Sequence, residues 1–157
     1  VFATALARDQ WLLAGNNTII GNTGYIDSGE SRTVSGPLTG GAANTILFAW
    51  HNPLAQDIFI KKVIINITTA DADAANIDVG IADNATYGGG GIEFFNDLTG
   101  ETIALYDSFI ATDNGTQAKW LLCQDSASAT DGWVVAKILD NDGTSIAGSF
   151  YIEYVGK

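Results

Sequence analysis

The strongest structural signal in the chain is residues 57–69, Asp-Ile-Phe-Ile-Lys-Lys-Val-Ile-Ile-Asn-Ile-Thr-Thr, its most hydrophobic segment. Its β-branched residues lose rotamer freedom in a helix and pack well on a pleated surface, so it reads as a long strand. The pair Lys61-Lys62 breaks the alternation and marks a β-bulge.

Shorter runs rich in Val, Ile, Phe, Tyr and Thr lie on both sides, punctuated by Gly, Asn, Asp and Ser. Residues 45–50, 77–82, 103–109, 118–123, 133–139 and 149–155 read as strands. His51-Asn52-Pro53 reads as a turn, 71–76 as a loop and 88–91 as a glycine loop. Alternation predicts that Ile77, Val79 and Ile81 face inward while Asp78 and Gly80 face outward. Near the C-terminus, Phe150, Ile152 and Tyr154 share one face, with Tyr151 and Glu153 on the other. Phe94, Phe95 and Leu98 stand at helical spacing, which predicts a short helical turn within 89–100. Seven or eight strands with no alternating α and β order predict an all-β fold, an antiparallel β-sandwich.

Residues 1–44 read differently, as an N-terminal arm and linker ahead of a sandwich domain over 45–157. A short helix is expected over 3–14, ending at Gly15. Gly36-Pro37-Leu38-Thr39-Gly40-Gly41 reads as the linker, because its glycines leave the backbone loosely restrained. An arm carrying Phe2, Leu6, Trp11, Leu12 and Leu13 would expose large apolar groups if left free. These five are therefore the expected partner-binding residues, docking on their own domain or on a neighbouring chain.

A 157-residue chain fits one domain and buries roughly 68–70% of its unfolded surface, enough for a core without staples. Staples are excluded in any case, since Cys123 is the one cysteine; it reads as a small buried hydrophobe. No apolar run approaches the ~20 residues of a membrane helix. Val1–Arg8 lacks the pattern of a signal peptide, and the missing Met is expected to reflect cleavage or loss of the initiator. The net charge of −11 is uneven: residues 1–56 carry −1, and 57–157 carry fifteen acids against five lysines, or −10. Such a surface repels nucleic-acid phosphates and anionic lipid, so neither nucleic acid nor membrane is an expected partner.

Little in the sequence points to catalysis. His51 is the one histidine, and it precedes Asn-Pro in a turn. No Gly-x-Ser-x-Gly elbow accompanies it, and no phosphate-binding or dinucleotide fingerprint occurs. Gly88-Gly89-Gly90-Gly91 lacks the Lys-Ser/Thr of a phosphate cradle. A pair of acids serving glycoside hydrolysis leaves no trace in sequence spacing and stays open. No cofactor is expected other than calcium, for which Asp140 and Asp142 in Asp140-Asn141-Asp142-Gly143-Thr144 are candidate ligands. Asp71, Asp73 and Asp78 form a second oxygen-rich group. Both groups read equally as turns, where Asp, Asn and Gly serve the backbone. Asn-x-Ser/Thr sequons at Asn16, Asn66, Asn84 and Asn114 are matched by chance frequency.

One stretch carries a resemblance. It comprises Leu47-Phe48-Ala49-Trp50-His51-Asn52-Pro53, then Ile58 through Thr69, then Ile77-Asp78-Val79-Gly80-Ile81-Ala82-Asp83-Asn84-Ala85-Thr86. With the closing Ala147-Gly148-Ser149-Phe150-Tyr151-Ile152-Glu153-Tyr154-Val155, this covers about half the chain. It resembles the capsid decoration, or cement, proteins of tailed bacteriophages. That resemblance implies a jelly-roll-like sandwich and a homotrimer on the capsid exterior. It also implies the major capsid protein as partner, with the subunit bridging capsomers, and no enzymatic activity. Two other readings stay open. One is a tail or fibre adhesion module, in which Trp11, Trp50, Trp120 and Trp133 stack on surface glycans. The other is a subunit of an extracellular filament joined by strand donation.

Overall fold

A computed structural model of the chain describes residues 30–73, 75–87, 92–109, 120–127 and 130–157. Of Ile92 and Glu93 it describes the backbone alone. The expected helix over 3–14, the residues Phe2, Leu6, Trp11, Leu12 and Leu13, and the glycine loop at 88–91 lie outside the described residues.

Among the described residues nine strands follow in order: β1 (Ser31–Gly41), β2 (Ile46–His51), β3 (Ile58–Thr69), β4 (Asn76–Ala82), β5 (Ile92–Thr99), β6 (Ala104–Asp107), β7 (Leu121–Cys123), β8 (Trp133–Ile138) and β9 (Gly143–Gly156). All described pairings are antiparallel, and among the described residues there is no helix. Sheet A runs β1-β9-β3-β6, with β7 also pairing β3, and sheet B runs β2-β8-β4-β5. β6 and β7 pair with different stretches of β3, at Ile64–Ile67 and Ile58–Ile60. Together they fill one strand position. Two four-position sheets in this order, packed face to face, are a jelly roll.

The long apolar run takes the place its composition requires. β3 is paired on both sides in sheet A, and its register with β9 shifts between Ile60 and Lys62, the expected bulge. Ile58, Ile60, Val63, Ile65 and Ile67 are buried against sheet B. On β9, Phe150, Ile152 and Tyr154 point inward and Tyr151 outward, as alternation predicted. The two sheets are joined by aromatic contacts. Phe48 on β2 stacks on Phe150 with centroids 4.0 Å apart, and Trp50 meets Tyr154 at 5.3 Å. Each such side chain taken fully out of water contributes roughly 1.5–3 kcal/mol.

Three expectations are corrected. Residues 31–41, read as arm and linker, are β1, in register with β9 from Ser31 opposite Val155 to Gly41 opposite Gly143. The division at residue 44 therefore falls too late. The glycines there serve close approach: a Cβ on Gly36 would stand 2.7 Å from the Phe150 ring, and one on Gly40 2.4 Å from the Gly143 carbonyl oxygen. Pro37, which lacks an N–H, is accommodated because β1 is an edge strand. Second, the helical turn expected within 89–100 is β5. Val79 pairs with Phe95 and Gly80 with Glu93, so Phe94 is the extra residue of a bulge. A second shift lies between the Ile77–Leu98 and Val79–Phe95 pairs. Bulges break the two-residue period, so Phe94, Phe95 and Leu98 are all buried at a spacing that imitates a helix. Third, Asp78 and Gly80 do alternate with the core residues Ile77, Val79 and Ile81, in unbroken register with β8, but they are buried on that opposite face and not exposed. β4 is paired on both sides, and the Asp78 carboxylate turns to accept the Asp97 N–H at 2.9 Å.

Candidate interaction face

With the core closed between the sheets, the outward face of sheet A stands out among the described residues. Cross-strand register arranges it in rows. Ser31, Val155, Phe59 and Leu122 lie opposite one another across β1, β9, β3 and β7. Next come Thr33, Glu153 and Lys62, then Ser35, Tyr151, Ile64 and Asp107. The last of these rows holds Pro37, Ser149, Asn66 and Leu105.

Two apolar zones flank one ionic row. The five exposed large hydrophobics of the described chain are Ile103 (68%), Leu105 (63%), Trp120 (49%), Tyr151 (39%) and Phe109 (36%). Leu105 and Tyr151 project from this face, Ile103 and Phe109 lie just beyond the two ends of β6, and Trp120 directly precedes β7. The Trp120 ring meets Phe59 edge-on at 6.5 Å, and the Lys61 ammonium lies 5.7 Å from its centroid.

Between the zones, Lys61 donates to Glu153, whose Oε1 also accepts the Ser31 hydroxyl at 2.6 Å. Lys62 reaches Asp107 at 3.6 Å and Glu153 at 3.9 Å. The Lys61 hydrogen bond, aided by Ser31, holds the Glu153 carboxyl below its ordinary range. Two of the five lysines of an acidic chain are thus gathered here, each neutralised by a neighbour.

The backbone at Trp120 adds a further observation. Its φ is 58°, in the left-handed region. Tyr87, at 60°, shares that region, as do Asn44, Asp97, Asp131 and Asn141, whose short polar side chains tolerate it. A Trp does not, and strain of order 1–3 kcal/mol persists only where surrounding structure imposes it. Here it holds a large aromatic group half out in solvent.

No protein-family model matches the chain, and no curated protein matches it. Among solved structures, the capsid of Ralstonia phage GP4 overlaps with a TM-score of 0.48 at 15% identity, over 88% of this chain and 93% of that one. The VP2 subviral particle of infectious bursal disease virus overlaps with a TM-score of 0.33 at 9% identity, over 84% of this chain and 34% of that one. Overlaps of this size carry no functional weight.

The residues singled out for chemistry are dispersed. His51 ends β2, stacked on Trp133 at 4.4 Å. Its neighbour Asn52 is fully buried: its amide donates to the Gln56 and Gln124 carbonyls and its oxygen accepts the Leu54 N–H. This Asn-Pro turn is a structural pin. Asp140 accepts from the Asn76 backbone at 3.3 Å and Asp142 from Ala43 at 3.1 Å. Asp71 accepts from Ser145 and Asp73, and the Ser145 N–H above all holds its carboxyl below the ordinary range. Among the described residues, no three His, Cys, Asp or Glu side chains gather as metal ligands. Cys123 is buried, and desolvation, with Asp131 and Asp57 nearby, pushes its thiol up to about 12.

Sequence reading missed the face itself. Tyr151 was placed outward correctly, but its apolar neighbours come from β3, β6 and the approach to β7, far apart in the chain. Leu105 carried the one local signal, since it alternates with the inward Tyr106.

Proposed function

We propose that this chain is a structural virion protein that decorates and stabilises the outside of a phage capsid by bridging capsomers. The observation that carries the reading is the outward face of sheet A. Its exposed Leu105 and Tyr151, with Trp120, Ile103 and Phe109 at its margins, stand over a core that is already closed. Large apolar side chains grouped on one side of a stable fold mark an adhesive surface. The jelly roll supports the reading, since its antiparallel sheets build viral shells; it also builds lectins and cupins, so fold alone decides nothing. Metal-dependent cupin chemistry would need a set of metal-ligating side chains, and His51 is the chain's one histidine.

In this reading the partner is the major capsid protein and the subunit works as a homotrimer. Phe2, Leu6, Trp11, Leu12 and Leu13 serve as apolar anchors that hold subunit to subunit. An interface of about 800 Å² per partner suffices for a stable contact, and many copies on one shell multiply it. No reaction is performed. The acidic remainder of the surface keeps particles dispersed.

Trp120 favours a second reading, a glycan-binding module, because an exposed indole beside Lys61 and Glu153 offers a stacking platform with hydrogen-bonding groups. Strand donation is the weaker alternative: β1 is the longest edge strand, and Pro37 removes one donor from it.

The test is co-purification with heads. The full chain is expected to co-sediment with them in many copies, and Leu105→Asp with Tyr151→Asp to lose that association while still folding. Undiminished association of the double variant, or selective binding of the parent on a sugar array with none to heads, would overturn the proposal.

A further inference from the structure

We propose that the outward face of sheet A is covered by the N-terminal tract, residues 1–29, of a second copy of this chain. The inference rests on reading that face as adhesive, and it names what the face takes.

The first argument is where the tract joins the fold. Glu30 leads into Ser31, whose hydroxyl is tied to Glu153 and Lys61 in the ionic row of this same face. The tract therefore enters at the border of the apolar zone formed by Phe59 and Trp120.

The second is length. The apolar group Phe2, Leu6, Trp11, Leu12 and Leu13 is separated from Ser31 by 17 residues, 14–30, which include four glycines and three asparagines. Fully extended, that spacer reaches about 60 Å. A fold of this size has a radius of gyration of about 14 Å, so touching neighbours stand roughly 35–40 Å centre to centre. The spacer spans that distance with length to spare for following the surface. It matches the step to a neighbour.

The third is charge. Residues 1–29 carry Arg8 against Asp9 and Asp27, a net of −1. The face meets them with lysines already neutralised by Glu153 and Asp107, whereas the rest of the fold is strongly acidic. A near-neutral apolar tract is repelled least here. Exchange between copies satisfies both unmatched surfaces at once, and a head-to-tail exchange closes into a ring when the rotation allows it.

The test uses the full chain carrying Leu13→Cys and Leu105→Cys, oxidised at low concentration, with products sized without reductant and the bridge mapped by mass spectrometry. A second pair, Leu6→Cys with Ile103→Cys, guards against a poorly placed first pair. Cys123 is buried and stays out of the reaction. The expected result is covalent dimers and larger species, bridged between position 13 of one copy and position 105 of another. Bridges confined to monomers mean the tract folds back on its own face, and overturn the proposal. Oligomers in which neither pair bridges mean a folded second copy covers the face, and overturn it too. Mapped bridges between copies in a chain that does not bind heads would leave this inference standing and defeat the capsid reading.

Discussion

At the residue scale, burial decides which ionisable groups are chemically alive. Asp78 pays for its buried position: desolvation above all raises its carboxyl from the ordinary 3.8, against the opposing Asp97 N–H hydrogen bond and the Lys137 charge. Above pH 3.8, the folded state therefore holds the Asp78 proton more tightly than the unfolded state does. The contribution of Asp78 to stability falls as pH rises through the folded value. Asp78→Asn keeps an oxygen for the Asp97 N–H and removes the charge. Denaturant unfolding of parent and variant from pH 4 to 7 is expected to show the variant gaining on the parent as pH rises; parallel profiles would refute this. Cys123 makes the complementary case. Its thiol, at about 12, is almost wholly protonated at neutral pH and shielded from reagent. Dithionitrobenzoate is expected to leave it unmodified in the native chain and to titrate one thiol after denaturation.

At the scale of elements, bulges and glycines set how the strands meet. The bulge at Lys61 turns both lysines toward Glu153, and the bulges of β5 bring Phe94, Phe95 and Leu98 into one core. Where β9 crosses β3, a Cβ on Gly148 would stand 1.9 Å from the Asn66 carbonyl oxygen. That atom is backbone in a paired strand and cannot step aside. Gly148→Ala is expected to lower unfolding free energy by about 2–4 kcal/mol, in the range of forced core rearrangement. A loss below ~0.5 kcal/mol in urea unfolding would show that β9 can shift without penalty.

At the scale of the whole molecule, two kinds of apolar surface must behave differently. Phe150 lies between the sheets against Phe48, so Phe150→Ala opens a cavity and is expected to cost about 3–5 kcal/mol. Leu105 is exposed, and Leu105→Ser is expected to change stability by less than about 0.5 kcal/mol while weakening assembly. Thermal unfolding and mass photometry of both variants check this, and a destabilised Leu105 variant would place that face in the core instead.

Local chemistry was enough to fix the strands with a clean two-residue period. β3, its lysine bulge, β9 and the buried Cys123 followed from residue types and spacing alone. Where backbone geometry departs from that period, or where a residue type serves two purposes, the sequence was ambiguous. Phe94 and Phe95 looked helical because a bulge breaks alternation, and Gly36 and Gly40 looked flexible because close packing and freedom both call for glycine. The face of sheet A was decided only by tertiary structure. Leu105 comes beside Tyr151, and Trp120 comes onto the same face, through pairings with β3 that span long stretches of chain, and no local pattern encodes which distant strands will lie side by side.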